Sequence, residues 1–143
     1  MQQQRTDWRE AVTIRRAAVL AAERAAQGRT TLFDFAGIGG SDRTWIGSAA
    51  VPPGNNTGPH THGRHEVLLY VVRGRSEIRW GEQLEYAAEI GPGDAVYFAP
   101  FVPHQERSLE ATDPVEYLIV RSDNEKIVQR RDDIAPVAAP QRL

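Results

Sequence analysis

Residues 59–74 read Pro59-His60-Thr61-His62-Gly63-Arg64-His65-Glu66-Val67-Leu68-Leu69-Tyr70-Val71-Val72-Arg73-Gly74. An imidazole-rich stretch runs straight into an apolar, β-branched segment and ends at a glycine turn. In His60-Thr61-His62 the two-residue period of a strand sets both imidazoles on one face. The last of the chain's four histidines, His104, closes a second segment of the same kind. That segment is Gly91-Pro92-Gly93-Asp94, a short strand Ala95-Val96-Tyr97-Phe98, then Ala99-Pro100-Phe101-Val102-Pro103-His104. Neutral imidazole is the commonest protein ligand for a divalent transition metal. Four of them gathered on turn-bounded strands read as two halves of one metal site.

The turn at Gly74 sets the register of the strand before it. Counting back, His65, Val67, Leu69 and Val71 fall on one face, and Glu66, Leu68 and Tyr70 on the other. His65 therefore points inward and is expected as the fourth ligand beside His60, His62 and His104. A bulge in this strand would reverse the faces and bring Glu66 in instead. Both faces of Val67–Val72 are apolar, so both need cover, one inside the domain and one by a second sheet or a partner chain.

The two segments resemble the paired motifs of the cupin family. Gly54, His60, His62, Glu66 and Gly74 match the first, and Gly93, Asp94, Pro100, Pro103 and His104 the second, within about residues 40–122. This chain has Ala99, Phe101 and Ser108 where cupins usually carry proline, glycine and often asparagine. Its Glu66 stands one place before the usual acidic ligand, a position taken by Val67. The resemblance implies an antiparallel β-sandwich or barrel, the double-stranded β-helix, with one metal ion per chain.

The surrounding pattern agrees with an all-β domain. Strand-like runs lie at Thr30 to Phe35, Arg43 to Val51, Arg75 to Trp80, Leu84 to Ile90 and Val115 to Val120, punctuated by Gly/Pro turns. Before them, Asp7 and Glu10 form a capping-box variant. Ala11, Ile14, Ala18, Ala21 and Ala25 follow at helical spacing, and Gly28 is a plausible stop. The expected division is a tail and packed helix over 1–29, one cupin domain over 30–131, and a loosely held tail over 132–143. The loop Gly37-Ile38-Gly39-Gly40 lacks the Lys-Ser/Thr and helix of a phosphate-binding loop.

The chain has 143 residues, a net charge near −2 and no cysteine. One domain is the natural size. The absence of a basic cluster argues against nucleic acid as a partner. No apolar run approaches the roughly 20 residues of a membrane span, and no secretory leader is evident, so a soluble cytoplasmic protein is expected.

A histidine site without thiolates suits zinc, iron, nickel, copper or manganese. Neutral ligands leave the ion a strong Lewis acid that lowers the pKa of bound water, which can then act as base. Apolar and aromatic side chains from Val67, Leu69, Val71, Val96 or Tyr97, Phe98 and Phe101 would accept a flat, apolar or aromatic molecule. Arg64, Glu66, Tyr97, Gln105 and Glu106 are close enough in sequence to move protons. Among small cupins with an N-terminal helix, the chain is similar to the cyclases of bacterial aromatic polyketide pathways, the resistomycin type. That resemblance implies zinc and an aldol-type ring closure of a poly-β-ketone followed by dehydration, within a homodimer. An iron- or nickel-dependent dioxygenase of the quercetinase kind and a non-enzymatic binding cupin are the alternative readings.

Overall fold

The computed structural model describes residues 8, 9, 12, 14, 16–27, 30–33, 43–123 and 125–143. The expected helix cap at Asp7 and Glu10, Ala11, the stop at Gly28, the end of the first strand and the loop 37–40 lie outside them. The helix α1 (Ala17–Gln27) is followed by β1 (Thr30–Phe33), β2 (Trp45–Val51), β3 (His60–Thr61) and β4 (Val67–Arg73). Then come β5 (Ser76–Trp80), β6 (Tyr86–Ile90), β7 (Ala95–Phe98), β8 (His104–Ser108) and β9 (Val115–Arg121). The short β10 (Gln129–Arg130) and β11 (Gln141–Arg142) complete the chain.

Two sheets face each other. The first has the order β1-β2-β9-β4-β7, the second β10-β3-β8-β5-β6-β11. Their strands pair antiparallel, except that β11 runs parallel to β6. The sequence is thus all-β with one described α-helix, as its strand pattern predicts. α1 lies beside β1, but Ala18, Ala21 and Ala25 of its apolar stripe are exposed.

Between the sheets lie Val51, Val67, Leu69, Val71, Ile78, Ile90, Phe98, Val115 and Tyr117. Strand β4 shows the alternation that builds this layer. Val67, Leu69 and Val71 are at most 3% exposed, whereas Leu68, Tyr70 and Val72 are 48, 47 and 53% exposed. Each buried aliphatic side chain there contributes roughly 1.5–3 kcal/mol. Gly74 holds φ +83° at the end of β4, and a Cβ on it would stand 3.2 Å from the Val115 backbone. Glycine is required on both counts.

The C-terminal segment corrects the expected loose tail over 132–143. Val137, Gln141 and Leu143 donate backbone N–H groups to the carbonyls of Gln83, Glu85 and Ala87 at 3.0, 2.7 and 2.9 Å. Arg142 pairs with the buried Glu77 at 2.9 Å. The cause is the edge of β6, whose unpaired backbone groups bind an extended chain whatever its side chains. The pairing with β6 therefore extends through Arg142.

Candidate metal centre

His60 on β3 is the direct cross-strand neighbour of His104 on β8, and His62 follows β3 by one residue. Their ring centroids are separated by 4.4 Å (His60–His104), 5.0 Å (His60–His62) and 5.2 Å (His62–His104). One ligand nitrogen from each ring lies within 4.8 Å of the other two.

The rings are oriented by their other nitrogens. Nδ1 of His60, His62 and His104 lies 2.9, 2.9 and 3.0 Å from the carbonyl oxygens of Gly58, Ile127 and Val102. A carbonyl accepts only, so each Nδ1 carries the proton and each Nε2 presents a lone pair. This is the ligand tautomer, held by backbone. Nε2 of His104 is fully buried with no hydrogen-bond partner among the described residues. Burial, with the neighbouring histidines adding to it, lowers the pKa of His62 to about 4. Burial and the charge of His60 lower His104 to about 4 as well. Two of the three imidazoles are therefore neutral at neutral pH, as a metal requires. An orphaned buried acceptor and three converging lone pairs fit a divalent transition metal.

Strand β8 reads His104-Gln105-Glu106-Arg107-Ser108, too polar to be recognised as a strand from sequence. Its inward face carries His104, Glu106 and Ser108, which are only 1, 7 and 3% exposed. The signal was an alternation of buried polar residues. Of the five candidates for proton transfer, Glu106 is the one brought against the cluster. Its Oε1 lies 3.7 Å from His104 Nε2 and its Oε2 4.0 Å from His60 Nε2. Gln105 alternates to the outer side of β8. Arg64 is exposed and pairs with Asp123 and Glu125. Glu66 accepts a hydrogen bond from the Tyr97 hydroxyl on the outer surface; the β4–β9 register shifts between Val71 and Arg73, and Glu66 stays exposed.

His65 corrects a second expectation. The register argument placed its side chain correctly, since it is 1% exposed with Val67, Leu69 and Val71. It is nevertheless not brought to the other three histidines. The reason is cross-strand pairing. Val67 faces Arg121 in the antiparallel pair of β4 and β9, so two residues back on one strand meets two residues on along the other. Asp123 stands there, and its Oδ1 lies 2.6 Å from His65 Nε2.

An apolar cavity of ≈ 320 Å³ is lined by Ile78, Trp80, Ala88, Ile90, Val96, Tyr97, Phe98, Ala99 and Val102. The histidines do not line it; Phe98 does, and its ring stacks on His104 at 4.0 Å and 16°. Phe98 is thus a wall shared by the cavity and the histidine cluster. Of the other side chains expected in the pocket, Val67, Leu69 and Val71 fill the core, and Phe101 is 67% exposed. Phe101 also holds φ +65°, which explains why glycine is usual at this place in the motif.

The chain belongs to the cupin family, whose domain model matches residues 47–121. No curated protein matches it in sequence. Among solved structures it is similar to a cupin 2 domain-containing protein from Halorhodospira halophila, at 28% identity and TM-score 0.62, over 73% of this chain and 68% of that one. It is also similar to the polyketide cyclase RemF from Streptomyces resistomycificus, at 24% identity and TM-score 0.60, over 75% and 74%. The DMSP lyase DddQ from Ruegeria pomeroyi shares 21% identity at TM-score 0.59, over 71% of this chain and half of that one. The last two likenesses are of fold. No described helix is long and apolar enough to cross a membrane.

Proposed function

We propose that this cupin is a metal-dependent enzyme acting on a flat, apolar or aromatic small molecule, and that its reaction is the aldol-type ring closure of a poly-β-ketone with dehydration to an aromatic ring. The observation that carries this reading is the cluster of three converging Nε2 lone pairs separated by the Phe98 ring from an apolar cavity. A bound divalent ion, zinc in the first instance, would supply Lewis acidity toward a carbonyl. The residues of the chain do the rest. His60, His62 and His104 would hold the ion, and the carbonyls of Gly58, Ile127 and Val102 keep their rings aimed. Ile78, Trp80, Ile90 and Val96 exclude water and hold a flexible chain in one fold, so that one carbon reaches one carbonyl. The similarity of fold to a polyketide cyclase supports the same reading.

A second reading, a metal-dependent dioxygenase, is favoured by the Glu106 carboxylate beside two of the histidines, because three histidines and a glutamate suit redox-active iron or nickel. Elemental analysis of protein purified without added metal, followed by assay, separates the two. One zinc per chain and an aromatic product from a short poly-β-ketone are expected. Iron or nickel with oxygen uptake would overturn the cyclase in favour of the dioxygenase.

Two copies pair, in this reading, through the outer face of the first sheet. Leu68, Tyr70, Val72 and Tyr97 are 48, 47, 53 and 54% exposed there, an apolar patch of a kind uncommon on monomers. Light scattering at micromolar concentration should return a dimer mass, and a monomer mass would sink this pairing.

A further inference from the structure

We propose that Glu106, and not His65, supplies the fourth ligand of the metal, with Thr57 as the residue that positions its carboxylate. This rests on the metal-enzyme reading above, cyclase or dioxygenase, and names the fourth ligand on which those two differ.

The argument begins with what surrounds the carboxylate. Glu106 is 7% exposed, and a buried carboxylate needs a cation or a full set of donors. Among the described residues no arginine or lysine pairs with it; the basic atoms within 4.0 Å are Nε2 of His60 and of His104. Both nitrogens present lone pairs, because the proton of each ring is committed to a backbone carbonyl through Nδ1. Acceptors thus face acceptors across 3.7 and 4.0 Å. A cation between them turns that repulsion into attraction.

With bonds of about 2.0–2.2 Å in a tetrahedral arrangement, ligand atoms stand roughly 3.4 Å apart. The two separations, made by different oxygens of Glu106, are longer than that, and no Glu106 oxygen joins all three histidine nitrogens within 4.8 Å, so the carboxylate has to turn toward the ion to bind it. A carboxylate also halves the charge that three neutral imidazoles would leave on a divalent ion. His65 offers none of this, since its Nε2 is directed at Asp123, just past the end of β9.

Thr57 sets the carboxylate. Its hydroxyl lies 3.0 Å from Glu106 Oε2, which can accept its proton, and accepts the backbone N–H of Glu106 at 3.1 Å. The backbone N–H of Thr57 donates to the Glu106 carbonyl at 2.9 Å. The same hydroxyl also lies 3.1 Å from the Gly58 carbonyl; with its proton given to Oε2, Oε1 remains for the ion.

The test loads the full chain with cobalt(II), whose visible spectrum reports the number and kind of ligands, and measures zinc affinity by competition with a chelating dye. Glu106→Gln keeps the shape and the Thr57 contact but removes the charge. It should change the cobalt spectrum and weaken zinc by about 100-fold or more. His65→Gln should leave the spectrum unchanged and zinc affinity within about threefold. Thr57→Val should keep the wild-type spectrum with an affinity loss of about tenfold. Glu106→Asp, which withdraws the carboxylate by one methylene, serves if Glu106→Gln does not fold, and should also alter the spectrum. An unchanged spectrum in the Glu106 variant, whatever its affinity, overturns the proposal, as does a changed one in His65→Gln. A wild-type chain that binds neither metal would overturn the metal-enzyme reading itself.

Discussion

His65 and His104 stand in two corners of one molecule and are buried alike, at 1% exposure each. Both occupy inward positions next to apolar strands. In the corner of β3 and β8, His104 is tied through Nδ1 to Val102 and turns Nε2 toward His60, His62 and Glu106. In the corner of β4 and β9, His65 meets the Asp123 carboxylate through Nε2 instead. The difference teaches that burial and strand face are not enough to make a ligand. What decides is which atom stands opposite each ring nitrogen, and that is set by the partner strand.

The largest effect expected from this contrast is on metal content. His60→Ala, His62→Ala and His104→Ala should each reduce bound metal by about 100-fold in affinity, while His65→Ala stays near one ion per chain. Elemental analysis after gel filtration checks it, and a His65 variant stripped of metal would erase the distinction between the corners.

Next comes acidity. His62 and His104 have folded pKa values of about 4 against 6.5 for the free side chain. Between those values the unfolded chain binds more protons than the folded one, so stability rises with pH across the window. The contribution is complete above about pH 6.5, is lost as pH falls toward about 4, and changes no further below that. Denaturation of metal-free protein at several pH values should show this slope, and His104→Gln should make it shallower. A flat profile would break the link between the cluster and its burial.

Asp123→Asn addresses the other corner. Removing the charge beside a fully buried imidazole should cost about 1–3 kcal/mol and leave metal affinity unchanged. Chemical denaturation and a zinc titration on the same variant test both halves, and a fall in affinity would tie His65 to the cluster. The smallest effect belongs to the loop between the corners, where the Phe101 N–H donates to Gly63 at 2.7 Å. Phe101 holds φ +65° while 67% exposed, so Phe101→Gly should relieve strain at little loss of packing and stabilise the fold by about 1 kcal/mol. A destabilised variant would show that the ring makes contacts which its exposure conceals.

Much of this could be read from residues alone. The alternation of Val67, Leu69 and Val71 with Leu68, Tyr70 and Val72 determined the inner and outer faces of β4, and Gly74 its end, because side-chain direction in a strand is a local property of the backbone. His60-Thr61-His62 and the two turn-bounded segments determined the cupin sandwich and the three histidines that could hold a metal for the same reason. Strand β8 escaped notice because its inward residues are polar, and the C-terminal pairing because an edge strand recruits backbone without regard to side chains. The exchange of His65 for Glu106 beside the cluster, the pairing of His65 with Asp123 and the placement of Phe98 between cavity and His104 were decided by tertiary structure. Each joins residues far apart in the chain that strand pairing brings together, and a one-residue change in register would exchange every partner while leaving the local pattern of the chain untouched.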